Sequence, residues 1–412
     1  MTIGIDALAF ATPRAYLELT DLAEARSIPA EKFTKGIGAV RMAVAGSHED
    51  PVSLAADAAL RLFAQSGVDR STIGYCAVGT ETGIDHSKPI ASYVHGLLGL
   101  PKTCRVFDTK HACFGGTAAL LAATEWIASG AARGRKALVI CTDIARYELK
   151  SPGEPTQGAG AVAILVSEAP RLLELEVGKT GSYALDVHDF WRPLERKDAL
   201  VDGHFSVTCY LDAVAGAYGE WKKLTEGEAP LARTVYHVPY VKMARKADRH
   251  RATVCEGLDE AAADARYDRE IEPSLRFAAE VGNIYTGSMY LALASLLHFE
   301  AADLAGKRIG LFSYGSGCGA EFFAGRVTAD AHVWAPALRE PLDLRERIGF
   351  AEYEAIRIAD ALPLPKVDPA RAIPTDRVAF LGADEAERRV YRLPSTKVVA
   401  ASSSRRLVEA SA

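Results

Sequence analysis

The apolar positions of this chain fall into two kinds of run. Short continuous stretches over 73–78, 136–141, 158–166, 308–314 and 320–327 read as strands buried on both faces, each bounded by glycine or polar residues. Other stretches carry helical spacing. In 50–65 the residues Leu54, Ala55, Ala58, Leu60, Leu62 and Phe63 form an apolar face, with Ser53 as the expected cap. Segments 17–26, 29–35, 89–98, 207–221 and 289–297 read as further helices, 256–277 as an acidic surface excursion, and 336–360 as charged helix. Residues 1–12 alternate apolar and small up to Pro13, which predicts an edge-type strand. The last stretch, 400–412, is rich in Ser and Arg and is expected to fray. Strands interleaved with helices predict an α/β fold. Residues 104–167 and 270–327 also repeat one element order of strand, polar loop, small-residue helix and two strands, which hints at a duplication.

One stretch draws the pattern together: Asp108-Thr109-Lys110-His111-Ala112-Cys113-Phe114-Gly115-Gly116-Thr117-Ala118-Ala119. The apolar 105–107 leads in and an Ala/Leu-rich helix leads out, so a thiol sits at a strand-to-helix turn. The two glycines let other backbone approach closely. A helix N-terminus favours thiolate, the setting for covalent catalysis. The competing reading is a packing cysteine before a core helix.

Composition narrows the options. At 412 residues, 49% hydrophobic and 25% charged, the chain has room for two to three domains or one large duplicated fold. No apolar run approaches the roughly 20 residues of a membrane helix, and the first residues lack the features of a signal peptide. The seven cysteines are scattered, odd in number and without CxxC spacing, which fits free thiols in the cytoplasm. A net charge of −5 argues against a nucleic-acid partner and requires any anionic ligand to find a local basic patch. There is no GxGxxG after the first strand, no GxxxxGK[ST], no HExxH, no GxSxG elbow and no metal-ligand spacing. Glu81, Cys113, His237 and Asn283 all stand at element ends, where α/β proteins place chemistry. Each alone also reads as a solvated, packing or turn residue.

The chain resembles the 3-hydroxy-3-methylglutaryl-CoA (HMG-CoA) synthase family of the thiolase superfamily. The resemblance lies in Gly79-Thr80-Glu81-Thr82-Gly83, His111-Ala112-Cys113-Phe114-Gly115-Gly116, 151–163, Asp189-Phe190-Trp191-Arg192-Pro193, Val201-Asp202-Gly203, Tyr236-His237-Val238-Pro239-Tyr240, Gly282-Asn283-Ile284-Tyr285-Thr286 and Ser313-Tyr314-Gly315-Ser316-Gly317, in family order over residues 1–330. One departure is Phe114, where the family usually has Tyr.

The resemblance implies a duplicated five-layer αβαβα fold. Its first half (1–170) would carry Glu81 and Cys113, and its second (171–412) His237 and Asn283. It implies an acyltransferase of isoprenoid-precursor (mevalonate) supply that condenses acetyl-CoA with acetoacetyl-CoA, using CoA thioesters as substrates, with no further cofactor and no metal. Cys113 would carry the acetyl group, Glu81 would take a methyl proton, and His237 would serve the ketone oxygen. Asn283, Ser316 and Thr156 match acetoacetyl-binding positions, and Tyr147, Asp143 and Asp189 supporting ones. Lys242, Arg245 and Lys246, directly after His237, would meet the phosphates of CoA. A homodimer is expected. The alternative within the resemblance is the polyketide β-branching relative, whose acyl groups ride on an acyl carrier protein.

Overall fold

The computed structural model describes residues 2–368 and 373–395. The expected fraying of 400–412 lies outside them.

Ten strands form one twisted mixed sheet. They are β1 (Ile3–Ala11), β2 (Ile73–Gly79), β3 (Arg105–Thr109), β4 (Lys136–Ile144), β5 (Ala159–Glu168), β6 (Leu173–Leu175), β7 (Gly181–Ala184), β8 (Arg233–Tyr236), β9 (Arg308–Gly315) and β10 (Gly319–Val327). The order is β8-β9-β10-β6-β1-β5-β4-β2-β3, with β7 also on β10. The first half of the chain builds β1 to β5, the second β7 to β10, and the two join where β1 pairs with β6. β1 is therefore central and buried along its whole length, not an edge strand as its pattern predicted. Its small residues serve close packing: a Cβ on Gly4 would lie 2.1 Å from the Leu173 carbonyl oxygen.

Alternation along the strands sorts the layers. Cys76, Val78, Leu138 and Ile140 face the outer helices α1 (Pro51–Ser66) and α2 (Ile90–Leu98). Tyr75, Ala77, Val139 and Cys141 face α3 (Gly115–Ala128). On the second half α4 (Gly203–Leu224) covers the outer face, with Tyr210 edge-on to Phe312 at 5.4 Å and Trp221 on Phe322 at 4.9 Å. α3 meets α6 (Ser288–Leu304) in the middle, where Thr117 and Tyr290 hydroxyls bond at 2.8 Å. This is the five-layer duplicated α/β architecture. Both central helices lead on to an antiparallel pair, β4–β5 and β9–β10.

Two boundaries differ from expectation. α1 is capped by Asp50, which accepts from the Ser53 amide at 2.8 Å, while Ser53 Oγ accepts from the Asp50 amide at 2.8 Å. Ser53 is thus the reciprocating partner of a capping box. The helix expected at 207–221 starts at Gly203 because Asp202 caps it. The charged segment after 336 is only partly helical, with its main helix α7 at Phe350–Ala359.

Candidate active site

β2, β3 and β4 are mutually parallel, as are β8 and β9. The turns after their C-terminal ends carry Glu81, Cys113, His237 and Ser316, and Asp143 lies at the end of β4. After β3 the chain passes through Ala112, whose φ of 40° is left-handed, before α3 begins at Gly115. A Cβ on Gly79 would lie 2.3 Å from the Gly116 nitrogen, and one on Gly116 would lie 2.3 Å from the Cys141 sulfur. Only glycine permits this backbone-on-backbone contact. It brings the Glu81 loop against the thiol: Cys113 Sγ donates to Glu81 Oε1 at 3.1 Å.

The thiol is not poised as thiolate, contrary to the helix-dipole expectation. Burial, then the charge and hydrogen bond of Glu81, push it well above its ordinary value. The helix end cannot offset desolvation beside a carboxylate. Burial also pushes Glu81 up to about 8, helped by the neighbouring Asp143 and opposed by Arg192. Both groups thus hold their protons in most molecules at neutral pH, and Glu81 becomes the thiol's acceptor as pH rises through about 8. Ala145, Tyr147 and Tyr285 close around the sulfur, with Phe190 and Ala199 at the margin. Tyr147 stands edge-on to Phe190 at 6.3 Å and to Tyr285 at 6.4 Å. Tyr285 is itself held at a φ of 43°.

Asp143 was expected near substrate but is wholly committed elsewhere. Oδ1 accepts from Thr80 Oγ1 (3.1 Å), the Glu81 amide (2.9 Å), the Thr82 amide (3.0 Å) and Thr82 Oγ1 (2.8 Å). Oδ2 accepts from the Thr286 amide (3.0 Å) and Thr286 Oγ1 (2.5 Å). Burial pushes Asp143 upward, and the hydrogen bonds it accepts from Thr286, Thr82 and Glu81 oppose that rise. Asp189 is likewise occupied, accepting from Tyr314 Oη at 2.6 Å and the Gly317 amide at 2.9 Å. Both hold loops, Asp143 with each oxygen accepting several bonds and Asp189 with one short bond at each. Thr156 Oγ1 donates to the Gly153 carbonyl at 2.8 Å, and its carbonyl accepts from the Asn283 amide at 3.0 Å. Asn283 Oδ1 accepts from the Tyr285 amide (2.9 Å) and Ser288 Oγ (2.8 Å), and its NH2 lies toward the Tyr147 phenol. Ser316 is half-buried in a turn pressed on the thiol turn: a Cβ on Gly315 would lie 2.4 Å from the His111 carbonyl oxygen.

His237 follows β8. Its amide donates to the Phe312 carbonyl at 2.8 Å and its carbonyl accepts from Tyr210 Oη at 2.6 Å. Burial holds the imidazole down to about 3, so it is neutral near pH 7. Among the described residues no hydrogen bond joins its side chain to Cys113 or Glu81. Their shared neighbour is Tyr210, with rings 6.3 Å apart on one side and a phenol that feels the Cys113 charge on the other.

The basic run after His237 divides. On α5 (Val241–His250), Lys242 packs over Gly38 and Lys246 is exposed, donating to Tyr240 Oη at 3.2 Å. Arg245 is partly neutralised by Asp264 at 3.3 Å. Arg251 is buried between Asp248 (3.1 Å) and Glu256 (2.7 Å), so that end of the run is structural. A cleft of about 520 Å³ opens beside α5 at Val241, Tyr267 and Arg276.

Sequence reasoning assigned no role to Arg192, Tyr210, Tyr285 or Thr286. Arg192, Tyr285 and Thr286 lay inside recognised motifs, but only the folded chain shows Arg192 donating to the Glu81 carbonyl. α7 supports the pocket from behind. Tyr353 Oη donates to Glu154 Oε1 and accepts from Gln157 Nε2, both at 3.0 Å, and Gln157 Oε1 accepts from the Tyr147 amide at 3.0 Å.

Comparison with known proteins agrees with this arrangement. The family model described as "Hydroxymethylglutaryl-coenzyme A synthase N terminal" matches residues 1–170, and its C-terminal counterpart matches 173–255 and 253–355. A hydroxymethylglutaryl-CoA synthase of Enterococcus faecalis is 41% identical over 359 residues, covering 86% of this chain and 91% of that one. The polyketide biosynthesis 3-hydroxy-3-methylglutaryl-ACP synthase PksG of Bacillus subtilis is 32% identical, covering 86% and 88%. A solved structure of MvaS in complex with 3-hydroxy-3-methylglutaryl coenzyme A superimposes with a TM-score of 0.89 at 48% identity, covering 95% and 99%.

Proposed function

The chain belongs to the hydroxymethylglutaryl-coenzyme A synthase family, and from that premise we propose that it condenses acetyl-CoA with acetoacetyl-CoA, then hydrolyses the enzyme thioester to release HMG-CoA and free CoA. The observation that carries this reading is the Cys113–Glu81 hydrogen bond inside a small aromatic pocket.

Cys113 attacks acetyl-CoA as Glu81 takes its proton and passes it to the departing CoA sulfur, leaving acetyl-Cys113 and an ionised Glu81. Glu81 then removes a methyl proton. The enolate oxygen is met by backbone amides of the Cys113 and Ser316 turns. The enolate carbon attacks the ketone of acetoacetyl-CoA; His237, a neutral donor, passes its N–H proton to the ketone oxygen as it becomes a hydroxyl and is reprotonated with the methyl proton that Glu81 carries, which leaves Glu81 ionised again. Asn283 and Ser316 orient the acetoacetyl group. Thr156, Asp143 and Asp189 act through the loops they hold. Water then cleaves the Cys113 thioester. Lys242, Lys246 and, more weakly, Arg245 meet CoA phosphates. The proposed division places the Cys113–Glu81 pair in the half 1–170 and His237 and Asn283 in 171–412.

We further propose a homodimer formed across β3, whose outer edge is unpaired among the described residues, acting in the cytoplasm in isoprenoid-precursor supply. The β-branching reading, with acyl-carrier-protein donors, rests on the more distant PksG likeness.

Intact-protein mass spectrometry after mixing with acetyl-CoA tests the mechanism. The wild type gains one acetyl group on Cys113 and Cys113→Ser gains none. Glu81→Ala still acylates, because exchange between two thiols is nearly balanced at equilibrium, but more slowly for want of the base that takes the thiol proton, and it loses condensation by about 10²–10⁴-fold. Unchanged condensation in Glu81→Ala would remove that residue from the mechanism. Faster acylation from an acetylated carrier protein than from acetyl-CoA would move the assignment to the β-branching reading.

A further inference from the structure

Phe190–Trp191 pairs with Leu200–Val201 as a two-stranded hairpin lying over the thiol pocket. Its base is fixed by Asp189, which accepts from Tyr314 and the Gly317 amide. Its tip is held by Lys197, which donates to the Asp360 carbonyl at 2.9 Å. Between these anchors Arg192 reaches inward. It donates to the Glu81 main-chain carbonyl, and its guanidinium nitrogen lies 3.8 Å from Glu81 Oε2. The side chain is 19% exposed and Glu81 is its sole acidic partner among the described residues.

We propose that Arg192 is a positioning residue that holds the Glu81 carboxylate toward the thiol and keeps it ionisable. This rests on the reading of Glu81 as the base. The groups facing Glu81 are Cys113 on the β3–α3 turn, Asp143 at the end of β4, Tyr147 and Tyr285 on the pocket wall, and Arg192. Arg192 is the cation in that set. Without it two carboxylates share a desolvated site, and the ionised fraction of Glu81 at neutral pH shrinks further. With the guanidinium in place Glu81 already stands at about 8, so a modest further rise would silence it under ordinary conditions. The contact to the carbonyl also fixes the loop backbone, and with it the direction of the carboxylate.

Arg192→Gln removes the charge while retaining a donor for the carbonyl. Arg192→Lys keeps the charge. Two readouts follow: the pH profile of condensation, and the pH profile of Cys113 alkylation by iodoacetamide, which needs no substrate. In Arg192→Gln the acid limb of both profiles moves up by about one pH unit. Condensation at pH 7 falls roughly tenfold, and KM for acetoacetyl-CoA changes less than about threefold. Arg192→Lys returns both limbs toward the wild type. A uniform loss at every pH, or a rise in KM alone, overturns the proposal and makes Arg192 a scaffold or a substrate anchor. Glu81→Gln serves as reference. If it leaves the wild-type limb in place, the reading of Glu81 itself fails. If it abolishes the limb while Arg192→Gln leaves it unmoved, only the role of Arg192 fails. Thermal unfolding of each variant separates either result from misfolding.

Discussion

Glu81 is held in the fold at a cost that its proposed role as base requires. Its folded value of about 8 lies above its ordinary 4.5, so the folded protein keeps a proton that the unfolded chain releases across that interval. Stability from this group is present below pH 4.5 and lost as pH rises through 8. Glu81→Gln removes the loss. Its unfolding free energy relative to wild type should grow between pH 5 and 9, by about 4 kcal/mol, while condensation is lost. Chemical denaturation at a series of pH values checks this, and a difference that does not vary with pH contradicts the burial of charge at this residue. His237 works in the opposite direction. The unfolded chain binds a proton below 6.5 that the folded protein refuses until about 3, so this group destabilises the fold progressively as pH falls through that range.

At the scale of elements, the site depends on how closely β2 approaches α3. Gly79 and Gly116 were visible in the sequence as small residues beside a thiol, but their contact was not. In Gly79→Ala the new methyl would meet the Gly116 backbone nitrogen at 2.3 Å. Backbone cannot swing aside as a flexible side chain can, so strand and helix must part. We expect a destabilisation of about 3 kcal/mol or more and loss of Cys113 acylation, measured by thermal unfolding and acetyl-CoA labelling. Gly67→Ala is the control. That glycine ends α1 at a φ of 64°, with no atom within 4 Å of its Cβ position, so only the backbone term remains, about 1 kcal/mol. The strands were legible because residues buried on both faces make continuous apolar runs. β1 was misjudged because small residues that permit tight packing on two sides look, along the chain, like a weak strand.

For the whole molecule, Asp143 is the tie between halves. One oxygen holds Thr80, Glu81 and Thr82 from the first half, and the other holds Thr286 from the second. Asp143→Asn replaces acceptors by an NH2 that faces donors. It should destabilise the protein by about 3–5 kcal/mol and impair acylation and condensation together, since Glu81 and the Thr286 turn lose their common anchor. Guanidinium denaturation and acetyl-CoA labelling test this. Full stability in Asp143→Asn would show that strand pairing and central-helix packing hold the halves without this carboxylate. The chain also closes on itself at long range. The hairpin Ala379–Ala383 with Arg389–Arg392 returns to the first half, where Val378 donates to Asp57 at 2.8 Å and Tyr391 to Asp50 at 2.7 Å. Burial holds Asp57 at about 7.

The sequence by itself determined the α/β class, the strand-to-helix turn bearing Cys113 and, through motif order, the family; it marked Cys113, Glu81 and His237 as candidates for its chemistry. These are local or ordered features, and a chain read in one dimension retains them. Tertiary structure alone decided that β1 is central, that the thiol is protonated, that Asp143 and Asp189 hold loops, and that Arg192 stands at Glu81. Desolvation and charge pairing depend on distances between residues far apart in the chain. Glu81 and Arg192 are 111 positions apart and in contact, and no spacing rule carries that distance.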